Sequence, residues 1–286
     1  MPNVSEGRDA AAIAAIGEAF ATSARLLDVH SDSDHHRSVF TLAGIDGDDA
    51  LVESLVAGIE RARELVDLRA HEGVHPRVGA ADVVPLVPIR PEDMGRARAA
   101  ALALGERVAE KLGLPVFLYG EVGDGRRPAF FRRGGPETLQ ARVDAGELTP
   151  DFGPSWLDPS AGAVLVGARA PLVAFNVDLA TADIEVARAI AAMVRESSGG
   201  FPGVQALGLA LAGRTQISMN ILDTTRTALH EVVGRVTEEA RRRGVEVLRG
   251  ELVGLMPASV AVAAATGPLA LRGFDESKIL ELRLLG

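Results

Sequence analysis

Cysteine is absent from the 286 residues, which excludes disulfides, thiolate metal sites and a cysteine nucleophile. Lysine is nearly absent: it occurs only at Lys111 and Lys278, and arginine supplies the rest of the 30 basic residues. Against 39 acidic residues the formal charge is −9. Without a large basic surface the chain lacks the main source of general nucleic-acid affinity, so an anionic ligand has to be met by local arginines. Long apolar runs are missing as well, which argues against a membrane span. The opening Met1-Pro2-Asn3-Val4-Ser5-Glu6-Gly7 has no basic stretch followed by an apolar core, so no secretory signal is visible. These absences predict a soluble cytoplasmic protein. Apolar residues nevertheless make up 47% of the chain, enough for a substantial core, and the length suits two packed units or one large one.

Two of the six histidines fall in His71-Glu72-Gly73-Val74-His75-Pro76-Arg77-Val78-Gly79. The pattern H-E-x-x-H is a zinc signature when both histidines ride one helix face. Gly73 weakens a helix inside the motif, and Pro76 biases His75 away from the α region. The zinc reading is therefore set aside. What remains is a turn holding a histidine beside an arginine, with glycines that allow close backbone approach. Such a histidine suits proton transfer near neutral pH. A structural loop whose histidines cap a helix end fits the same residues.

Helix and strand patterns alternate along the chain. Pro2–Ser5 reads as a strand, Asp9–Thr22 as a helix, and Arg25–Val29 and Ser38–Leu42 as strands. Asp48–Arg69 is the clearest amphipathic helix. Asp82–Ile89 reads as a strand whose Pro85 and Pro88 suggest an edge or a bulge. A helix from Pro91 to Leu112 and a strand Val116–Tyr119 come next. From Gly123 to Gly162 the pattern dissolves into an irregular stretch with the pairs Arg126-Arg127 and Arg132-Arg133 and the only tryptophan, Trp156. Long irregular segments in compact proteins are usually functional or disordered. The second half runs strand Leu172–Val177, helix Ala182–Glu196, strands Val204–Leu211 and Thr215–Leu222, helix Thr227–Arg243 and strand Val245–Leu255. That order is the split β-α-β, or ferredoxin-like, unit. The first half has the same order with one extra helix and strand. The expected fold is α+β, with two related ferredoxin-like subdomains, residues 1–171 and 172–286. A cleft between the halves would be the natural ligand site.

Several blocks carry a specific resemblance. The opening P-N-V-S-E-G, the block His75-Pro76-Arg77-Val78-Gly79-Ala80-Ala81-Asp82-Val83, and Asp151-Phe152-Gly153-Pro154 come first. Pro159-Ser160-Ala161-Gly162, Gly167-Ala168-Arg169 to Ala174-Phe175-Asn176, Ser218-Met219-Asn220 and Leu252-Val253-Gly254-Leu255 continue in order and spacing. Together they resemble the glutamate formimidoyltransferase (formiminotransferase) family, including the transferase portion of formiminotransferase–cyclodeaminases, nearly end to end. The resemblance implies two α/β subdomains about a substrate tunnel, usually in a homodimer. It implies transfer of a formimino group from N-formimino-L-glutamate to tetrahydrofolate, a co-substrate, with no metal. It carries the catalytic histidine onto His75, and the folate contacts onto Gly153, Pro154, Ser155, Trp156, Leu157, Asp158, Pro159, Ser160, Ala161 and Gly162.

In such a transfer the attacking amine loses a proton and the leaving amine gains one. A single histidine can act as base and then acid. Both substrates carry carboxylates, for which Arg37, Arg77 and Arg169 are candidates; a structural ion pair suits each equally well. Arg37, Arg77, Asp82 and His30 are candidate site-lining residues. His30 is a departure, because family members place an acidic residue there. That substitution favours two alternatives: a folate-dependent transferase with another one-carbon donor such as formylglutamate, and a folate-binding protein without turnover.

Overall fold

The computed structural model describes residues 1–264 together with Lys278, Leu280 and Arg283. The chain divides into two compact units, one covering Met1–Ala170 and the other beginning at Pro171. Both are α+β, as the alternating sequence patterns predict.

The first unit contains β1 (Asn3–Val4), α1 (Ala10–Phe20), β2 (Arg25–Asp32), β3 (Arg37–Ala43), α2 (Asp48–Leu65), β4 (Ala81–Leu86), α3 (Met94–Leu112), β5 (Val116–Gly120), α4 (Pro128–Arg132), α5 (Gly135–Asp144) and β6 (Val164–Ala168). Its sheet has the order β2-β3-β1-β4-β6-β5. The first four strands pair antiparallel in the ferredoxin-like order, and β6 and β5 extend the sheet in parallel from β4. Asp9 starts α1 by accepting from the N–H groups of Ala11 and Ala12, the usual N-cap arrangement. Helices α1, α2 and α3 cover one face with Ile16, Phe20, Leu55, Ile59, Ala101 and Leu104. Alternation along the strands turns Val116 and Leu118 toward that layer, and Phe117 and Tyr119 toward a smaller cluster with Phe131 and Leu139.

Four features of this unit depart from the sequence reading. Strand β6 is missing from the expected order. All five of its residues are buried, and a strand buried on both faces lacks the alternation by which strands are recognised. Strand β4 is interior rather than an edge, and the alternative reading, a bulge, appears as the register shift where it pairs with β1. Strand β1 reaches only Val83 and Ala81, with a register shift between its two residues, so Pro85 lies beyond that ladder and needs no partner there. Helix α2 ends at Leu65 rather than Arg69, followed by a 3-10 turn at Leu68–Ala70. The stretch expected to be irregular contains α4 and α5, where Pro128 and Pro136 occupy the first turns instead of breaking them.

The second unit has its expected order, β7 (Val173–Leu179), α6 (Ile184–Val194), β8 (Val204–Leu211), β9 (Arg214–Ile221), α7 (Leu229–Arg242) and β10 (Val247–Val253), and an unexpected helix, α8 (Ala258–Ala264), follows it. The four strands are antiparallel in the order β10-β7-β9-β8. Phe175, Val177, Ile217 and Met219 pack against Ile190, Val194, Val232 and Val236 of α6 and α7. On β7 and β9 the opposite sheet face is polar. There the buried Asp178 accepts from Arg214 Nε at 2.9 Å, Arg249 Nε at 2.8 Å and Gln216 Nε2 at 2.9 Å.

Candidate active site

The histidine-bearing loop leaves α2 and enters β4 without forming a helix through His71 and His75. The two histidines go to different partners on the β2–β3 turn. His71 stacks on His36 at 4.0 Å between ring centroids and donates from Nε2 to the His36 carbonyl at 2.9 Å. His75 lies over His35, with centroids 5.9 Å apart. Gly73 permits this approach, because a Cβ there would stand 2.5 Å from the His35 carbonyl oxygen and 2.8 Å from His36 Cβ. Arg77 folds back on its own loop and donates to the carbonyls of Gly73 at 3.0 Å, His75 at 3.3 Å and His71 at 2.5 Å. Its guanidinium therefore shapes the turn.

The Gly153–Gly162 segment braces the same loop. The Ser160 carbonyl accepts from Leu68 N at 2.8 Å, the Ala161 carbonyl accepts from Ala80 N at 2.8 Å, and Ala163 N donates to the Val78 carbonyl at 2.9 Å. Gly162 makes this possible: its φ is +70°, and a Cβ would stand 2.0 Å from the Val78 oxygen. Asp158 Oδ1 accepts from Ser160 N, Ser160 Oγ and Ala161 N, and Asp158 Oδ2 accepts from Arg63 at 3.2 Å. Burial pushes the Asp158 carboxyl up, and these donors more than offset it, holding it below the ordinary range. Leu157 N donates to Gln140, while Gly153, Ser155 and Pro159 are exposed and Pro154 is half-buried. Trp156 is 56% exposed.

At the centre is a charge cluster on the sheet face away from α1–α3. Asp82, with none of its side chain exposed, accepts from Arg37 Nη1 at 2.9 Å and from Arg132 Nη2 through Oδ2, and from Val78 N at 2.8 Å through Oδ1. Burial alone would raise its carboxyl; Arg132, Arg37 and the Val78 N–H together hold it below the ordinary range. Arg37 also donates twice to Asn3 Oδ1, at 3.1 and 2.7 Å, and once to His75 Nδ1 at 3.1 Å. Burial, with Arg132 adjacent, lowers Arg37 to about 10, still fully charged at neutral pH. Burial first, then Arg37, Arg132 and His35, hold His75 well below the ordinary histidine value, against a small opposing effect of the Pro76 backbone. His75 is thus a neutral imidazole beside two arginines and one carboxylate, a cluster with one positive charge in excess.

Of the sequence candidates, the structure brings His75, Arg37 and Asp82 together. His30 pairs with Val39 in the β2–β3 ladder, which puts it on the same sheet face as Arg37. Arg77 serves the loop backbone. Arg169 bonds the Ala170 carbonyl at 2.9 Å and lies against Tyr119, whose hydroxyl burial pushes up to about 12. Residues Gly153–Gly162 hold the loop's backbone rather than the charged side chains. Two members of the cluster escape sequence reasoning. Asn3 belongs to the opening P-N-V-S-E-G block, and Arg132 to an arginine pair whose neighbour Phe131 is buried. Among the described residues no group of three or more His, Asp or Glu side chains is placed to hold a metal ion.

A ferredoxin-like unit extended by two parallel strands, with an H-P-R turn over a buried Arg–Asp–Arg cluster, leads to one protein class: the chain belongs to the formiminotransferase family. The family's "Formiminotransferase domain, N-terminal subdomain" matches residues 1–169 and its "Formiminotransferase domain" matches residues 174–269. The chain is 39% identical to the glutamate formimidoyltransferase of Thermoplasma acidophilum, covering 99% of this chain and 96% of that one. It is 38% identical to the glutamate formimidoyltransferase of Streptococcus pyogenes serotype M1, covering 100% and 98%. It is 39% identical to the formimidoyltransferase-cyclodeaminase of Rattus norvegicus over 93% of this chain, which spans 51% of that relative.

Proposed function

We propose that the protein is a transferase that moves the formimino group of N-formimino-L-glutamate to tetrahydrofolate, giving 5-formiminotetrahydrofolate and L-glutamate. The observation that most supports this reading is the 38–39% identity, over nearly the whole of both chains, to two glutamate formimidoyltransferases. The neutral His75 in its buried cationic cluster fits that chemistry.

In this reading the folate nitrogen attacks the formimino carbon and the tetrahedral intermediate expels the glutamate nitrogen. One proton passes overall from the first nitrogen to the second, and His75 assists at the centre where it passes. The excess positive charge of Arg37 and Arg132 over Asp82 suits a donor with two carboxylates. The Gly153–Gly162 segment, with Trp156 outward, contacts the folate. Nothing in this chemistry requires a metal. The same reading makes the protein a cytoplasmic homodimer; no described helix is long and apolar enough to cross a membrane.

The test is turnover with formiminoglutamate and tetrahydrofolate, following folate product and released glutamate, with formylglutamate in parallel. Product from formiminoglutamate alone is the expected result. Product from formylglutamate alone would reassign the donor, and tetrahydrofolate binding without product from either would leave a binding protein.

A further inference from the structure

The protonation of the His75 ring is dictated by its neighbour. A guanidinium has five N–H donors and no acceptor. Arg37 Nη1 stands 3.1 Å from His75 Nδ1, a hydrogen bond that forms only when Nδ1 is the unprotonated nitrogen of the neutral ring and Nε2 carries the hydrogen; the Pro76 backbone is the competing partner of the ring. Arg37 has little freedom to change this. Asn3 Oδ1 holds its Nε and Nη2 at 3.1 and 2.7 Å, and the fully buried Asp82 holds its Nη1 at 2.9 Å.

We propose that Arg37 is a positioning residue that locks His75 as the Nε2–H tautomer, so that His75 enters the reaction as a hydrogen-bond donor rather than as a base. The proposal rests on the formimino-transfer reading and specifies how that site works. The nitrogens of a planar amidinium have their lone pairs in the π system and accept nothing. On attack by the folate nitrogen, a C–N bond forms, the C=N π pair returns to the formimino nitrogen, and both donor nitrogens become tetrahedral with free lone pairs. A fixed Nε2–H then has acceptors that the planar amidinium did not offer, which favours the tetrahedral intermediate and the transition states on either side of it. When the C–N bond to glutamate breaks, its electron pair leaves on the glutamate nitrogen. The proton that nitrogen finally carries is the one the attacking nitrogen loses, and His75 has no net gain or loss. The charged or titratable groups facing the ring are Arg37 from β3, Arg132 from α4, Asp82 from β4 through Arg37, and His35 from the β2–β3 turn.

The direct test is heteronuclear NMR of the wild-type protein with isotope-labelled histidine, the His75 signals being those lost in His75→Gln. The expected result is an unprotonated Nδ1 and a protonated Nε2, unchanged from about pH 6 to pH 8. A hydrogen on Nδ1, or titration inside that range, would overturn the proposal. In Arg37→Met the ring should become a tautomer mixture, kcat should fall roughly tenfold to a thousandfold with KM changed less, and an acidic limb should appear in the pH profile. Arg37→Lys, also donor-only, should restore part of kcat and the flat profile. Wild-type kcat and pH profile in Arg37→Met would contradict the assignment; should that variant not fold, the wild-type spectrum decides alone. Because the spectrum needs no substrate, absent turnover with the predicted tautomer would fault the reaction, and turnover with Nδ1 protonated would fault the lock.

Discussion

Asp82 Oδ2 lies 2.9 Å from Arg37 Nη1 with no part of the carboxylate exposed, and this pair joins the sheet of the first unit to the His75 loop through Arg37. It links β3 to β4 across β1, and Arg132 brings α4 to the same oxygen. Asp82→Asn keeps the shape and removes the charge, leaving two buried guanidiniums uncompensated. Breaking a buried pair in this way costs about 3–5 kcal/mol. Urea unfolding should show a loss of that order, and a loss under about 1 kcal/mol would mean that the cluster is solvated.

Gly162 tests the brace beneath His75. Its φ of +70° resembles the +72° of Gly146, but a Cβ at Gly146 meets nothing within 4 Å whereas one at Gly162 would stand 2.0 Å from the Val78 oxygen. Gly146→Ala should cost about 1 kcal/mol, the backbone strain alone. Gly162→Ala should cost visibly more and lower kcat by displacing the loop. Equal effects in thermal unfolding would show that the loop yields freely.

The histidines predict an acid-side loss of stability. Burial lowers His71 to about 4 in the folded state, while the unfolded chain takes up that proton near pH 6.5, about the unperturbed value. Between these values the unfolded state binds more protons, so stability falls as pH drops from about 6.5 toward 4 and is unaffected by this group above that range. His75 acts in the same direction. His71→Gln, which can still donate to the His36 carbonyl, should flatten the slope in unfolding titrations. An unchanged slope would place the titrating groups elsewhere.

Much of the fold and part of the site were legible in the sequence. The second unit emerged from its periodicities, because β7 and β9 each have one apolar and one polar face. The first unit was read less completely for the same reason: β6 is buried on both faces and shows no alternation, and Pro128 and Pro136 open helices where prolines usually signal loops. His75, Arg37 and Asp82 came from motif position. Arg132 did not, because its role depends on α4 folding back over the sheet, which no local pattern encodes. Arg77, adjacent to the key turn, proved to bind the turn's own carbonyls.

Trp156 is the only tryptophan and is 56% exposed, within the segment assigned to folate. Tetrahydrofolate binding should therefore change the intrinsic fluorescence saturably, and Trp156→Phe should remove the signal while retaining turnover. Binding detected by calorimetry with no fluorescence change would move the folate site away from Gly153–Gly162.

The most direct measurement is the rate of 5-formiminotetrahydrofolate formation by wild type and His75→Ala at saturating substrates. A histidine donor at the reacting carbon predicts wild-type turnover and a loss of about 10²–10³-fold in the variant, with tetrahydrofolate binding retained. A folded His75→Ala protein within tenfold of the wild-type rate would contradict that placement of His75.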